Sequence, residues 1–129
     1  MSTSLFSFCI VGLLTISINS FAQDERHSIL GREVAREELQ EILKNKPAVA
    51  INTVGQSLPD SAAALRVAEP ILFRTYGKKQ ILKQQPYEIY LIDNYWILMG
   101  TLPENWHGGT FTIVLNSQNG QIIGLKHGK

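Results

Sequence analysis

The first 22 residues of the chain contain no lysine, arginine, aspartate or glutamate, so all 12 basic and 11 acidic residues lie further along it. Within this uncharged stretch, residues 5–18 form a nearly continuous apolar run, which is too short to span a membrane comfortably. Ser20 and Ala22 supply small residues at the −3 and −1 positions of a cleavage site. We therefore predict a cleaved secretory signal over residues 1–22 and a periplasmic location for the rest, without stable membrane association after cleavage. Because the n-region also lacks a positive side chain, an uncleaved anchor is the alternative.

The chain has one cysteine, Cys9, which lies inside the apolar run, so residues 23–129 have none. This excludes disulfides, thiol chemistry and thiolate metal sites from that part of the chain. The formal net charge is only +1, and a nucleic-acid partner would need clustered lysine and arginine. The composition therefore argues against a nucleic-acid partner.

Recognisable catalytic and ligand-binding motifs are missing as well. The chain contains no Gly-x-Ser-x-Gly elbow, no phosphate-binding glycine loop before a helix, and no histidine pair at metal-ligand spacing. We predict that His27, His107 and His127 are exposed to solvent, and that the protein is a non-enzymatic binding module with no catalytic residue, metal or cofactor. A carboxylate active site remains the alternative, with four candidate residues: Glu69, Glu88, Asp93 and Glu104.

The remaining pattern predicts one domain over residues 23–129, in which residues 23–31 form a flexible leader. Apolar residues at helical spacing predict helices over 32–45 and 62–76, the second capped by Asp60 or Ser61 and interrupted by Pro70. Alternating apolar residues predict strands over 87–93, 95–102, 110–116 and 121–126, with turns at Asp93–Asn94 and Asn119–Gly120. Residues 48–54 form a further apolar stretch that could be extended. The fold class is α+β, with N-terminal helices on one face of a curved antiparallel sheet of about four strands.

Aromatic side chains are concentrated between residues 87 and 106, and they suggest a binding surface. Tryptophan and tyrosine are common in binding hot spots, because they bury a large area and keep a polar group. Trp96 lies in a strand and is the stronger candidate for the core, whereas Trp106 lies in a loop. The candidate partner contacts are Trp106, His107, Glu104 and Tyr95.

The C-terminal half also resembles a known bacterial family in an ordered set of motifs: Tyr-Gly-Lys-Lys-Gln-Ile from residue 76, Pro86-Tyr87, Trp96, Gly-Thr-Leu-Pro from residue 100, Gly-Gly-Thr from residue 108, and His-Gly-Lys at 127–129. These motifs resemble immunity proteins with a nuclear-transport-factor-2-like fold, over about residues 60–129. The resemblance implies a cone-like α+β fold and the neutralisation of a cognate toxin by protein binding. It implies no catalytic residue.

Two other functions remain open from the sequence. The helix, the hairpin and the final strand pair are also similar to exported PepSY-type domains that modulate peptidases. A cone-like fold can also enclose a small ligand or an active site. A cavity lined by Asp93 or His127 would favour that last alternative, and an interior filled by Trp96, Ile89 and Phe111 would oppose it.

Overall fold

A computed structural model describes residues 27–45 and 55–129, which form three helices and four strands. In chain order the elements are α1 (Gly31–Lys44), α2 (Ser61–Tyr76), α3 (Lys78–Leu82), β1 (Glu88–Ile92), β2 (Tyr95–Met99), β3 (Phe111–Asn116) and β4 (Ile122–His127). The predicted signal over residues 1–22 and the apolar stretch at 48–54 lie outside the described residues. None of the described helices is long and apolar enough to cross a membrane.

The four strands form one antiparallel sheet in the order β1-β2-β3-β4. Asp93 and Asn94 join β1 to β2 with φ values of 50° and 66°, which is the geometry of a type I′ turn. Aspartate and asparagine tolerate this left-handed conformation better than other residues with a side chain, so the predicted turn is confirmed. The α+β fold class with a four-stranded antiparallel sheet is confirmed as well.

The connection between β3 and β4 passes through the predicted turn at Asn119–Gly120. Only Gly120 of this pair has a positive φ, at 70°. The loop begins at Asn116, whose side-chain oxygen accepts a hydrogen bond from the backbone N–H of Gln118 at 2.8 Å. The register also shifts between Val114 and Leu115, where β4 has one extra residue opposite β3.

Helices cover both faces of the sheet, which corrects the expectation that they lie on one face. One face packs against α2 and α3 through residues that include Leu72, Leu98 and Phe111. The other face packs against α1, where Leu39 contacts a cluster that includes Ile97. Successive residues of β2 point to opposite faces and residues 96–99 are all buried, so each face needs its own apolar cover.

Local signals explain the position of α2. The carboxylate of Asp60 accepts a hydrogen bond from the backbone N–H of Ala63 at 2.8 Å, which confirms the predicted N-terminal cap. The helix continues through Pro70, which lies on its exposed side, and ends where Gly77 takes a φ of 93°. Gly77 then leads directly into α3, a short helix that the sequence analysis did not predict.

The segment before α1 is held in place, so the predicted flexible leader over residues 23–31 is wrong for its described part. The backbone N–H of Ser28 donates to the carbonyl of Leu102 at 2.9 Å. The N–H groups of Leu30 and Gly31 donate to the buried carboxylate of Glu88 on β1, at 3.0 and 2.9 Å. Residue Leu30 itself offers α1 no side-chain cap, so Glu88 satisfies donors at the helix N-terminus from across the fold.

Candidate functional site

The loop over residues 103–109 connects β2 to β3 and presents the most exposed aromatic side chain among the described residues. The backbone N–H of Trp106 donates to the carbonyl of Pro103 at 2.9 Å, which closes a tight turn. Gly108 then takes a φ of 144°, a conformation that residues with a side chain rarely adopt. Trp106 is 56% exposed in this loop.

Trp106 stands between two clefts and lines both of them. We call the first the β4 cleft; it has a volume of about 440 Å³ and is also lined by Glu38, Thr112 and Lys126. The second, which we call the α3 cleft, has a volume of about 380 Å³ and is also lined by Lys83. An exposed tryptophan with a concave surface on either side is the arrangement expected of a protein-binding hot spot.

Three of the four predicted contact residues lie together on this loop. Glu104, Trp106 and His107 are all exposed, and His107 also lines the α3 cleft. Tyr95 is separate from them, because it begins β2 whereas the loop follows the end of that strand. Tyr95 is partly buried and lines neither cleft, so it does not belong to the surface around Trp106.

Trp96 has the structural role that its strand position indicates. Its ring is 8% exposed and lies in the cluster under α2. Its indole N–H donates to the carbonyl of Leu58 at 2.8 Å, which satisfies the one polar group of the side chain. Trp96 and Phe111 fill the space between α2 and the sheet with side chains.

Beneath the loop lies a buried polar residue that the sequence analysis missed, Gln84. Its side-chain oxygen accepts a hydrogen bond from the backbone N–H of Phe111 at 2.8 Å, so its amide nitrogen points the other way. That nitrogen lies 3.1 Å from Nε2 of His127. Since the amide nitrogen of Gln84 can only donate, Nε2 of His127 must be the acceptor. The ring hydrogen of His127 is therefore on Nδ1, which donates to the carbonyl of Gly128 at 2.7 Å.

A second histidine is held in a similar way. The Thr101 hydroxyl donates to the carbonyl of Pro86 at 2.7 Å, so it accepts from Nδ1 of His27, which is 2.9 Å away. His27 and His127 are both partly buried, and the ring centroid of His127 lies 5.0 Å from that of Tyr76. The prediction of three exposed histidines is therefore wrong for these two and holds for His107.

Two glycines allow distant parts of the chain to come into close contact beneath the loop. A Cβ atom at Gly100 would overlap the side chain of Gln84, and one at Gly109 would overlap the backbone of Gly128. The motifs that begin at residues 100, 108 and 127 thus meet around Gln84, although they are far apart in sequence. Their residues support the base of the loop that carries Trp106.

The charged groups of the β4 cleft already have partners. Nζ of Lys126 lies 2.6 Å from a carboxylate oxygen of Glu38 and 2.8 Å from one of Glu41. Burial alone would lower the pKa of Lys126, but the two carboxylates outweigh it and raise that pKa. Lys126, the one lysine among the described residues of the β4 cleft, is thus paired with two carboxylates, and the three groups together carry a formal charge of −1.

None of the four carboxylates considered for catalysis stands in an arrangement typical of acid–base chemistry. Glu88 is bonded to the N-terminus of α1, and Asp93 forms the turn between β1 and β2. Glu69 lies beside Tyr87. The pKa of Tyr87 is raised to about 12, mainly by burial and to a smaller extent by the negative charge of Glu69. Within residues 27–45 and 55–129, no group of three or more histidine, cysteine, aspartate or glutamate side chains could hold a metal ion.

Comparison with known proteins assigns the chain to a family. The family model described as NTF2 fold immunity protein matches residues 63–129. The uncharacterized protein YhhH of Escherichia coli strain K12 is 28% identical over 130 residues, which cover 97% of this chain and 91% of YhhH. The uncharacterized protein YbbC of the same strain is 28% identical over 78 residues, which cover 60% of this chain and 64% of YbbC. No solved structure matches the chain. With the family match over more than half of its length, the chain belongs to the NTF2-fold immunity proteins.

Proposed function

We propose that this protein is exported to the periplasm and neutralises a cognate toxin there by binding it and covering its working surface. The family match supports an immunity-type role. The observation that carries the proposal is the exposed Trp106 between two clefts, on a loop whose base is held by buried hydrogen bonds. A preorganised aromatic anchor of this kind binds a protein partner with little loss of conformational freedom.

The packed interior favours protein binding over a small-molecule function. Trp96 and Phe111 occupy the space under α2 where a ligand of a cone-like fold would lie. His127, which would favour a ligand cavity, lines both of the larger clefts, but these clefts lie on the outside of the domain, around the loop over residues 103–109. Binding there would use the outer surface of the protein and needs no chemistry from it.

The partner can be sought among the products of the genes that adjoin this one. Each neighbouring gene is expressed in E. coli with an export signal, with and without this chain. We expect one product to arrest growth, and co-expression of this chain to restore it. The purified pair should then form a stable complex in size-exclusion chromatography with light scattering. If no neighbouring product is toxic and rescued, the proposal fails.

The contribution of the loop is tested by Trp106→Ala, with Leu91→Ala as the matched control. Leu91 is another exposed large apolar residue, 43% accessible, and it lies near the end of the sheet opposite the loop. We expect Trp106→Ala to weaken toxin binding by roughly 2 kcal/mol or more, because truncated hot-spot aromatics cost that much. Both variants should unfold at the same temperature as the wild type. Equal binding by the two variants would remove Trp106 from the interface.

The proposed export has its own test. The intact mass of the protein recovered from the periplasm should correspond to a chain that begins at Gln23. A chain recovered with Met1 still in place would contradict cleavage and favour a membrane anchor.

A further inference from the structure

All three histidines of the chain line the α3 cleft, together with Lys83 and the apolar side chains of Trp106 and Leu102. The cleft volume of about 380 Å³ is enough for a large side chain and the backbone beside it. No aspartate or glutamate is among the described residues that line it. Among the described residues, the cleft therefore combines an apolar wall with polar groups and a single formal charge, which is positive.

The polar groups of the α3 cleft fall into two sets. Gln84 and His127 are bonded to each other and to the backbone, so they form the floor of the cleft. The side chains of Lys83 and His107 are exposed and make no hydrogen bond or ion pair with any other described residue. An unpaired lysine and a histidine that can donate a hydrogen bond suit a carboxylate.

The contrast with the β4 cleft supports this assignment. There, the carboxylates of Glu38 and Glu41 already neutralise Lys126. In the α3 cleft, within the described part of the chain, no carboxylate does the same for Lys83. Among the described residues around Trp106, the lysine without a carboxylate partner therefore lies on the α3 side.

We propose that the α3 cleft binds an acidic segment of the partner toxin, which rests on the function proposed above. A carboxylate of the segment pairs with Lys83, and an apolar or aromatic side chain of the same segment lies against Trp106. The charge gives the segment its orientation, and the burial of the Trp106 ring provides most of the affinity.

The decisive experiment measures the affinity of the purified toxin complex by calorimetry for three variants. Lys83→Glu should raise Kd by about tenfold or more, because it places like charges together. Lys83→Gln, which removes the charge and keeps most of the side chain, should have a smaller effect in the same direction. The control is Arg66→Glu, a charge reversal on the exposed side of α2 outside the cleft, and it should change Kd by less than about twofold. If Lys83→Glu and Arg66→Glu bind equally, the inference fails while the proposed function stands.

A second measurement does not need the toxin. The isotope-labelled protein is titrated with the peptide acetyl-Glu-Glu-Phe-Glu-Glu-amide, and separately with its counterpart in which lysine replaces every glutamate. The acidic peptide should shift the NMR signals of the Trp106 indole N–H and of the Lys83 and His107 amides, and the basic peptide should not. If no toxin complex forms, the proposed function fails, and the cleft is judged on this titration alone. Equal shifts with both peptides, or none with either, would overturn the inference.

Discussion

Replacement of Gln84 by methionine tests the internal structure that supports the binding surface. Methionine has nearly the same length as glutamine but neither accepts nor donates these hydrogen bonds. The backbone N–H of Phe111 would lose its partner in a buried position, and Nε2 of His127 would lose its donor. The loop that carries Trp106 would then lie above buried polar groups that have lost their hydrogen-bond partners.

The expected loss follows from the two interactions. A buried N–H left without an acceptor costs about 1–3 kcal/mol, and the lost bond to His127 adds about 0.5–1.5 kcal/mol because it is only partly buried. We therefore expect Gln84→Met to lower the free energy of unfolding by about 1.5–4.5 kcal/mol, out of a total of roughly 5–15 kcal/mol for a domain of this size. Urea denaturation followed by circular dichroism measures this change directly.

The neighbouring residue is a matched control for this substitution. Gln85 has the same side chain but is exposed, and its side chain makes no hydrogen bond with the described residues. Gln85→Met should change the free energy of unfolding by less than about 0.5 kcal/mol. If Gln84→Met is as mild as Gln85→Met, the hydrogen bonds of Gln84 do not stabilise the fold and the argument is refuted.

Two further predictions concern the sheet and its edge. Gly124→Ala should destabilise the protein by about 1–3 kcal/mol in thermal unfolding, because the added methyl overlaps the side chain of Ile42 on α1. Adding Ile42→Ala to the same chain should restore part of the lost stability. If the destabilisations of the two substitutions simply add, the contact between them is contradicted. In an ultraviolet titration, the last of the four tyrosines should ionise near pH 12, and Tyr87→Phe should remove that step. Because the folded-state pKa of Tyr87 is above its ordinary value of 10.0, the stability that it contributes is complete below pH 10 and is lost as the pH rises toward about 12. An unchanged titration in Tyr87→Phe would show that another tyrosine is the late one.

The elements of the fold follow from local patterns, and for that reason most of them could be predicted. Helical spacing placed α1 and α2 within one residue of their observed bounds, and the Asp60 cap and the Asp93–Asn94 turn depend only on adjacent residues. The helix α3 was missed because five residues are too few for a periodic pattern.

The arrangement of the site depends on contacts between distant residues, and these have no local signal. Nothing in the run of residues 83–86 distinguishes the buried Gln84 from the exposed Gln85. His27 and Thr101 are 74 residues apart, so only the folded chain shows that the histidine is bonded. Trp106 could be predicted as exposed from its loop, but the two clefts beside it require the positions of α3 and β4. The same limit explains Tyr95, an aromatic residue near the others in sequence and remote from them in space.

The carboxylate of Glu88 has a consequence for the order in which the protein acquires its structure. Of the described helices, α1 is synthesised first, but it has 14 residues, no side-chain cap of its own, and an apolar side that packs on the sheet. Isolated helices of this length are marginal in water. The backbone N–H groups of Leu30 and Gly31 at its N-terminus donate to Glu88, which lies 58 and 57 residues further along the chain. We therefore expect α1 to become stable only once the strands that carry Glu88 and the apolar side chains beneath the helix have formed.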